Sequence, residues 1–330
     1  MAIYYDISDW VEKPFLQTKG TRNKCVVVNP LDNSDYYFKT SYKKDYRYYK
    51  PEFWSEIIAS EIGRSLGFEV LEYDIARKKE EVGCISKSMI QGDESLTEGH
   101  SLLSAYNRNY NPENTDHYKY YTFNFIRETL KFHNWEDDIK SIISTIIFDC
   151  IIGNSDRHQS NWGFITVPVL NKDANSFFKR VASRIKSRSI DNEILSRFIT
   201  LQGRYSPIYD SGCCLAREHD ENWIKKTLSS KIMFDAFINR GKSEIRWRED
   251  GDKLNHFDLV KKIKSEHKNE VESIIKEVFN RYREDNISKI IFNIDKNLPE
   301  NLKSENGLSI ERKMFIERLI IARIKRLEQI

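Results

Sequence analysis

The side chains best suited to chemistry lie in residues 149–163, where Asp156 is followed five positions later by Asn161. Protein kinases place a catalytic base and a metal ligand at this spacing. A second acidic residue, Asp210, begins an Asp-Ser-Gly triplet downstream. The three side chains together predict phosphoryl transfer, because that reaction needs an oriented hydroxyl and groups that neutralise the phosphate oxygens.

Each of these side chains has a defined task in such a site. Asp156 would accept the hydroxyl proton or orient the nucleophile, as a carboxylate within hydrogen-bond reach can do. Asn161 would supply an amide oxygen and Asp210 a carboxylate to Mg²⁺, which prefers hard oxygen ligands and keeps several waters. An Asp and an Asn at this spacing occur by chance about once in a chain of this size. The order of the surrounding motifs therefore carries more weight than the pair itself.

Lys39 and Glu56 are the predicted partners of the nucleotide phosphates. Residues 25–40 combine strand-forming runs with a turn-forming centre, which predicts a β-hairpin that ends near Lys39. Residues 51–66 predict a helix, because a proline suits its first turn, apolar residues follow an amphipathic period and a glycine can end it. A strand-borne Lys followed by a helix-borne Glu is the order of the ion pair in kinases. The alternative is two unrelated surface charges.

Two further segments are candidates for nucleotide contacts. Lys19, Gly20 and Thr21 offer a cation, close backbone approach and a hydroxyl, which are suited to holding phosphates. The alternative for this segment is an ordinary solvated loop. Further along, a break after a predicted strand indicates a hinge, whose main chain near Met89 and Gln91 would meet the adenine edge.

The composition limits the classes of protein to which the chain can belong. Its 330 residues exceed a typical single core, so two lobes or two modest domains are expected. The formal net charge is only +3, which gives no global sign of nucleic-acid binding. Five scattered cysteines predict reduced, buried thiols and an intracellular protein. No run is apolar enough for a membrane span, and we expect no export signal.

After about residue 94 the sequence pattern becomes mainly helical. Residues 135–150 have one isoleucine-rich face and an acidic first turn, which predicts a helix that leads directly into the loop containing Asp156. A rigid helix followed by a glycine is a sound way to fix a catalytic side chain.

Residues 166–209 are only partly assigned, with helices predicted over residues 177–185 and 192–199. A basic strip in this interval is either a solvated helix face or a docking surface for an acidic partner or nucleic acid. The sparse aromatic residues there argue against single-strand binding. The strip consists of Lys179, Arg180, Arg184, Lys186 and Arg188.

Residues 153–163 (Gly-Asn-Ser-Asp-Arg-His-Gln-Ser-Asn-Trp-Gly) and 209–212 (Tyr-Asp-Ser-Gly) resemble the motifs of the HipA-like serine/threonine kinases, in particular the CtkA-type branch. In the N-terminal half, residues 19–24, 38–40 and 55–67 resemble that family's phosphate loop, nucleotide lysine and helix glutamate. The sequence departs from the family in two places. The phosphate loop has a single glycine, and the interval after residue 166 is long for this branch.

The resemblance implies an α+β, two-lobed protein-kinase-like fold. A small β-rich N-lobe with one helix would span residues 1–92, and a larger, mostly helical C-lobe residues 93–330. ATP and Mg²⁺ would be the cofactors and a protein serine or threonine the acceptor, with an antitoxin or regulatory protein as a further expected partner. The setting would be the bacterial cytoplasm, or a host cell into which the kinase is delivered as an effector. Direct nucleic-acid binding is not expected.

The candidate residues fall into three groups. The catalytic candidates are Asp156, His158, Lys39 and Glu56, the nucleotide-binding candidates are Lys19, Gly20, Thr21, Lys39, Met89 and Gln91, and the metal ligands are Asn161 and Asp210. His158 is included because Asp-Arg-His resembles the catalytic motif of phosphoinositide kinases, and the alternative is an imidazole that braces the loop. A phosphoinositide or small-molecule kinase and a non-catalytic nucleotide-binding module therefore remain as alternative functions.

Overall fold

The computed structural model describes residues 1–14, 24–44, 47–170 and 199–330. The predicted phosphate loop with Lys19, Gly20 and Thr21 lies outside the described residues. The basic strip and the helix predicted over residues 177–185 also lie outside them, as does nearly all of the helix predicted over residues 192–199. These expectations remain predictions from the sequence.

The N-terminal part of the chain is built on a six-stranded sheet. Its strands are β1 (Tyr4–Asp6), β2 (Val11–Glu12), β3 (Lys24–Val28), β4 (Asp35–Thr40), β7 (Asp74–Lys78) and β8 (Glu81–Lys87). Their order across the sheet is β1-β7-β8-β4-β3-β2. A separate pair, β5 (Lys43–Lys44) and β6 (Arg47–Tyr48), forms a small hairpin. β1 runs parallel to β7, and the other neighbours in the large sheet are antiparallel. The predicted hairpin is confirmed as β3 and β4.

The alternation of side chains along β4 explains where Lys39 points. Phe38 is buried in a small core on one face of the sheet, together with Val27 and Ile85. Successive residues of a strand face opposite sides, so Lys39 faces the other way. Its register partner, Cys84, belongs to the main core on that second face, where the first helix packs.

Helix α1 (Glu52–Leu66) lies against this second face and ends at Gly67, whose φ of 90° is the left-handed conformation that glycine adopts without strain. Thirteen of its fifteen residues are buried, so the helix has almost no solvent-facing side. The indole N–H of Trp54 donates to the carbonyl of Asn306, 2.6 Å away, which ties α1 to the C-terminal part of the chain. The predicted helix is thus confirmed, with contacts on both sides.

The larger part of the chain is mostly helical, as predicted. Its helices are α2 (Gly99–Tyr106), α3 (Phe123–Phe132), α4 (Ile139–Ile152), α5 (Glu221–Leu228), α6 (Lys231–Arg240), α7 (His256–Glu266), α8 (Lys268–Arg281), α9 (Glu284–Phe292), α10 (Glu300–Asn306) and α11 (Ile310–Leu327), with short 3₁₀ turns at Thr115–Tyr120 and Glu136–Asp138. Within the described ranges, no helix is both long enough and apolar enough to cross a bilayer.

A three-stranded antiparallel sheet corrects the expectation that the chain is helical from residue 94 onward. β9 (Ser95–Glu98) pairs with β10 (Gly163–Leu170), which also pairs with β11 (Ile199–Tyr205). The four residues of β9 become a strand because β10 supplies their hydrogen-bond partners, which local periodicity does not reveal. With this sheet included, the α+β class, a β-rich N-terminal part with one helix and a larger helical remainder, is confirmed.

Candidate active site

The loop that carries Asp156 begins where α4 ends. Gly153 follows α4 in the left-handed conformation (φ 70°), and Asn154 turns its amide back to donate to the carboxylate of Asp149 (2.9 Å) in the last turn of the helix. The amide oxygen of Asn154 then accepts from the backbone N–H of Asp156 (3.3 Å). The start of the loop is therefore held to the rigid end of α4.

Arg157 lies at the centre of the site with only 1% of its surface exposed. Its guanidinium donates to both carboxylate oxygens of Asp149, at 2.9 Å each, in a bidentate pair. It also donates to the carbonyls of Asn161 (2.6 Å) and Tyr209 (2.5 Å), and to the hydroxyl of Ser211 (3.2 Å). One side chain thus joins α4, the Asp156 loop and the Asp-Ser-Gly triplet.

Arg157 keeps its charge despite this burial. Desolvation alone would lower its pKa, but the adjacent Asp149 carboxylate more than offsets that loss, so the pKa of Arg157 is raised. A buried, fully bonded ion pair is costly to break, because removing one partner leaves the other charged and unpaired. The pair therefore fixes the geometry of the loop.

Asp156 is partly exposed at the surface of this loop. Its carboxylate accepts a hydrogen bond from the thiol of Cys213 (Sγ to Oδ2, 3.0 Å). Its backbone carbonyl accepts from the side-chain amide of Asn161 (2.8 Å). That contact directs the amide nitrogen of Asn161 toward Asp156, and it leaves the amide oxygen as the atom that a cation would take.

Lys39, Glu56 and Asp210 meet although they are far apart in the sequence. The ammonium group of Lys39 forms an ion pair with Glu56 and donates to Asp210 Oδ1 at 2.8 Å. The second oxygen of Glu56 accepts from the backbone N–H of Ser211 (2.8 Å). The phenol ring of Tyr73 lies beside Lys39, with the ammonium nitrogen 5.4 Å from the ring centre. Strand β4, helix α1 and the Asp-Ser-Gly triplet are joined at this point.

The backbone after β11 is unusually strained. Asp210 has φ of 54°, and Leu215 and Ala216 have φ of 56° and 60°. Left-handed conformations are costly for residues with a Cβ and persist only where the surrounding structure imposes them, often at functional sites. The strain coincides here with the segment that carries the predicted metal ligand.

The donors present fit a magnesium ion bound together with a nucleotide. Within the described residues there is no cluster of three or more His, Cys, Asp or Glu side chains suited to a metal. Asp210 nevertheless offers a carboxylate beside Lys39, and Asn161 offers an amide oxygen on the loop that Arg157 joins to the Asp-Ser-Gly triplet. Mg²⁺ is characteristically held by one or two such groups plus substrate phosphates and water, so two protein ligands suffice.

The remaining candidates are placed as follows. His158 is partly buried, and its ring nitrogen Nδ1 accepts from the backbone N–H of Ser160 (3.2 Å), which is a contact within its own loop. Gln91 is exposed, with its backbone N–H donating to the carboxylate of Glu94 (2.9 Å), and Met89 is partly buried. No described contact joins these three residues to Lys39 or Asp210.

Sequence reasoning missed a second arginine at this site. Arg217 forms an ion pair with Glu52 (3.0 Å) in the first turn of α1 and lies over the ring of Tyr49 at 4.3 Å. It also donates to the sulfur of Cys213 (2.9 Å), which in turn contacts Asp156. The chain of contacts from α1 to Asp156 has no local signature, because its members come from three separate segments.

Comparison with known proteins gives a fold but no sequence relative. No protein-family model matches the chain, and no curated protein matches it in sequence. The crystal structure of the Helicobacter pylori proinflammatory kinase CtkA matches 100% of this chain and 99% of its own, with a TM-score of 0.70 and 19% identity. HipA from the Shewanella oneidensis HipA, HipB toxin-antitoxin system, solved with its operator DNA, matches 97% of this chain and 66% of its own, with a TM-score of 0.49 and 13% identity. The match to CtkA shows that the chain has the two-lobed, kinase-like fold that the predicted CtkA-type resemblance implied.

Proposed function

We propose that this protein is an ATP-dependent serine/threonine protein kinase of the HipA-like type. The observation that carries the proposal is the convergence of Lys39, Glu56 and Asp210 next to the loop of Asp156 and Asn161. Arg157 links the two groups, because it donates to the carbonyls of Asn161 and Tyr209 and to the hydroxyl of Ser211. Phosphoryl transfer needs residues of these types close to one another, which supports the proposal. The kinase-like fold supports the same reading.

Each residue would act through a group that the chain already orients. Asp156 would accept the proton of the acceptor hydroxyl, and its partly exposed carboxylate is open to such a ligand. Lys39 would donate to the phosphates of ATP while Glu56 holds its ammonium group in place. A magnesium ion held by Asn161 and Asp210 would supply positive charge against the phosphate oxygens.

His158 has a supporting part in this proposal. Its bond to the backbone N–H of Ser160 is the contact expected of an imidazole that braces the loop. The phosphoinositide-kinase alternative rested on a catalytic His158, and this contact gives it no support. The nucleotide-binding roles of Lys19, Gly20, Thr21, Met89 and Gln91, and the regulatory or antitoxin partner, remain predictions from the sequence.

The test compares phosphate transfer from radiolabelled ATP by the wild type and by Asp156→Asn. Generic protein substrates, the kinase itself as acceptor and phosphoinositide vesicles are offered in parallel. We expect wild-type transfer to protein serine or threonine, and a loss of at least about 100-fold in the variant, because general-base groups typically contribute that much. The exposed Asp285→Asn is the matched control and retains activity.

Three outcomes would reject parts of the proposal. Equal activity of the wild type and Asp156→Asn would exclude Asp156 as the base. Transfer to lipid alone would favour a lipid kinase on the same scaffold. Binding of ATP without any turnover would indicate a non-catalytic module.

A further inference from the structure

A cavity of about 730 Å³ opens beside the Asp156 loop. Gly153 and Ser155 line it on one side, and Leu215 and Glu218, which follow the Asp-Ser-Gly triplet, line it on another. Its volume is within the range of sites that bind drug-sized ligands. Ser155 immediately precedes Asp156 in the chain, so this cavity, here called the acceptor cavity, borders the loop that carries the proposed base.

One wall of the acceptor cavity is cationic. Arg240, Lys242, Lys253 and Arg323 line it, against the carboxylates of Glu218 and Glu244. Lys253 forms an ion pair with Glu244, whereas Arg240 and Lys242 are exposed at the rim. The wall therefore has an excess of positive charge and is complementary to an anion.

Arg323 is the buried part of this wall, with 1% of its surface exposed. It donates to the carbonyls of Cys150 (2.6 Å) and Ile238 (3.1 Å), at the C-terminal ends of α4 and α6. Among the described residues its second terminal nitrogen has no hydrogen-bond partner, and no carboxylate pairs with it. A buried guanidinium with an unmatched donor is costly unless an anion or water completes it.

The other residues that line the cavity are mainly apolar and aromatic. The imidazole of His219 stacks on the indole of Trp223 with ring centres 3.6 Å apart and planes within 9°, and Phe237 meets Trp223 edge-on. Burial lowers the pKa of His219, which keeps its ring neutral and suited to apolar contact. Ile232, another lining residue, is 83% exposed, so its large apolar side chain faces the solvent.

We propose that the acceptor cavity binds the segment of the protein substrate that carries the phosphorylated residue. It selects a bulky apolar side chain together with an Asp or Glu close to the acceptor serine or threonine. This inference rests on the proposed kinase function. A small free anion would use only the cationic residues, whereas an extended peptide would use the cationic and the apolar residues together and pass Ser155 toward Asp156.

The test is a fluorescein-labelled positional peptide library with a central serine. Each of five positions on either side carries Glu, Gln, Lys, Leu or Ala in turn. Phosphotransfer gives kcat/KM, and fluorescence anisotropy without nucleotide gives Kd independently of turnover. For the wild type we expect Glu to be preferred over Gln at one position by about threefold, because a solvent-exposed charge pair contributes about that much. At another position we expect Leu to be preferred over Ala by at least about tenfold, because it fills an apolar pocket.

The informative variant is the double substitution Arg240→Glu with Lys242→Glu, both at exposed positions. It loses the preference for Glu and gains one for Lys at the same position, a gain that misfolding cannot produce. Lys276→Glu, an equally exposed change on α8, is the matched control and retains the wild-type preference.

The outcomes separate the two proposals. Two results would overturn the proposed peptide site while the kinase function stands. One is phosphotransfer that depends on Asp156 but shows no preference for Glu, and the other is an unchanged preference in the double variant. Displacement of the peptides by millimolar inorganic phosphate, with equal binding of Glu and Gln peptides, also overturns it in favour of a small-anion site. Binding that depends on the peptide's charge, without phosphotransfer, would support an acidic peptide as the ligand of the acceptor cavity and reject the proposed kinase function.

Discussion

Lys39 lies between two carboxylates that are held to different degrees. Glu56 has a side chain only 2% exposed, and the backbone N–H of Ser211 fixes its second oxygen. Asp210 is 25% exposed and sits on a left-handed backbone. We therefore expect Asp210 to turn toward a cation when a nucleotide binds, while Glu56 keeps its ion pair with Lys39.

Gly212 allows the triplet to lie this close to α1. A Cβ at this position would lie 2.9 Å from Oε1 of Glu56 and 3.3 Å from Cγ of Glu52, so either the carboxylate or the triplet would have to move. Gly212→Ala is therefore expected to disturb the pair of Glu56 with Lys39. Phosphotransfer should fall by at least about tenfold, since small misplacements of catalytic groups have large effects on rate.

The measurement for Gly212→Ala is kcat and the KM for ATP, with circular dichroism to verify folding. Gly251→Ala is the matched control, because its added Cβ would meet only Arg248 at ordinary contact distances of 3.7 Å and more. Wild-type kinetics in a folded Gly212→Ala protein would show that the close approach has no catalytic role.

Helix α1 is the element that connects the two parts of the site. It packs on the sheet that carries Lys39, contacts the C-terminal helices through Trp54, and reaches Arg217 through Glu52. Its burial on almost every side leaves little room for it to swing away. The helix therefore holds Glu56 in place for its ion pair with Lys39.

The contact between Glu52 and Arg217 should couple α1 to Asp156 through Cys213. We expect Glu52→Gln and Arg217→Gln each to lower kcat by about tenfold, and the double variant to be no slower than either single one, because residues that act as one unit are not additive. The measurement is a double-mutant cycle: kcat is determined for the wild type, the two single variants and the double variant. Arg108→Gln, at an exposed position, is the control. Losses that multiply to about 100-fold would show independent roles.

Elements with a strong local pattern were predicted well, and elements defined by distant partners were not. The hairpin of β3 and β4, helix α1 and most of α4 follow from turn formers, periodicity and a stop glycine. β9 is a strand only because β10 lies beside it. In the same way, the types and order of Lys39 and Asp156 predicted a site, but the pairing of Asp149 with Arg157 depends on the folded loop.

At the scale of the whole molecule, α11 joins the helical part to the segment beyond Asp210. Arg312 is buried, forms an ion pair with Glu221 and donates to the carbonyls of Ala216 (3.3 Å) and His219 (2.6 Å). Arg323, about three turns further along the helix, donates to carbonyls near the ends of α4 and α6. One C-terminal helix thus positions both the strained segment and the helix that leads into the Asp156 loop.

His256, at the start of α7, makes this packing sensitive to acid. It is fully buried, neither ring nitrogen has a hydrogen-bond partner among the described residues, and Gly241 and Arg323 lie next to it. Burial, with a smaller contribution from the Arg323 cation, holds the pKa of His256 well below 6.5. The folded protein therefore keeps this ring neutral where the unfolded chain protonates it.

Below about pH 6.5 the unfolded state binds the extra proton, so the free energy of unfolding falls as the pH falls, by at most about 1.4 kcal/mol per pH unit from this residue. Urea unfolding at several pH values between 7 and 5.5 measures the slope. We expect His256→Phe to lose the contribution of His256 to this slope. Any cost of repacking lowers the free energy of unfolding by the same amount at every pH. Leu259→Ala, a buried apolar change on the same helix, is the control: it removes no titratable group, so it lowers the free energy of unfolding and keeps the wild-type slope. The same slope in His256→Phe and the wild type would show that the folded protein protonates His256 as readily as the unfolded chain does. The burial of His256 beside Arg323 would then not cause the acid sensitivity of the helical core.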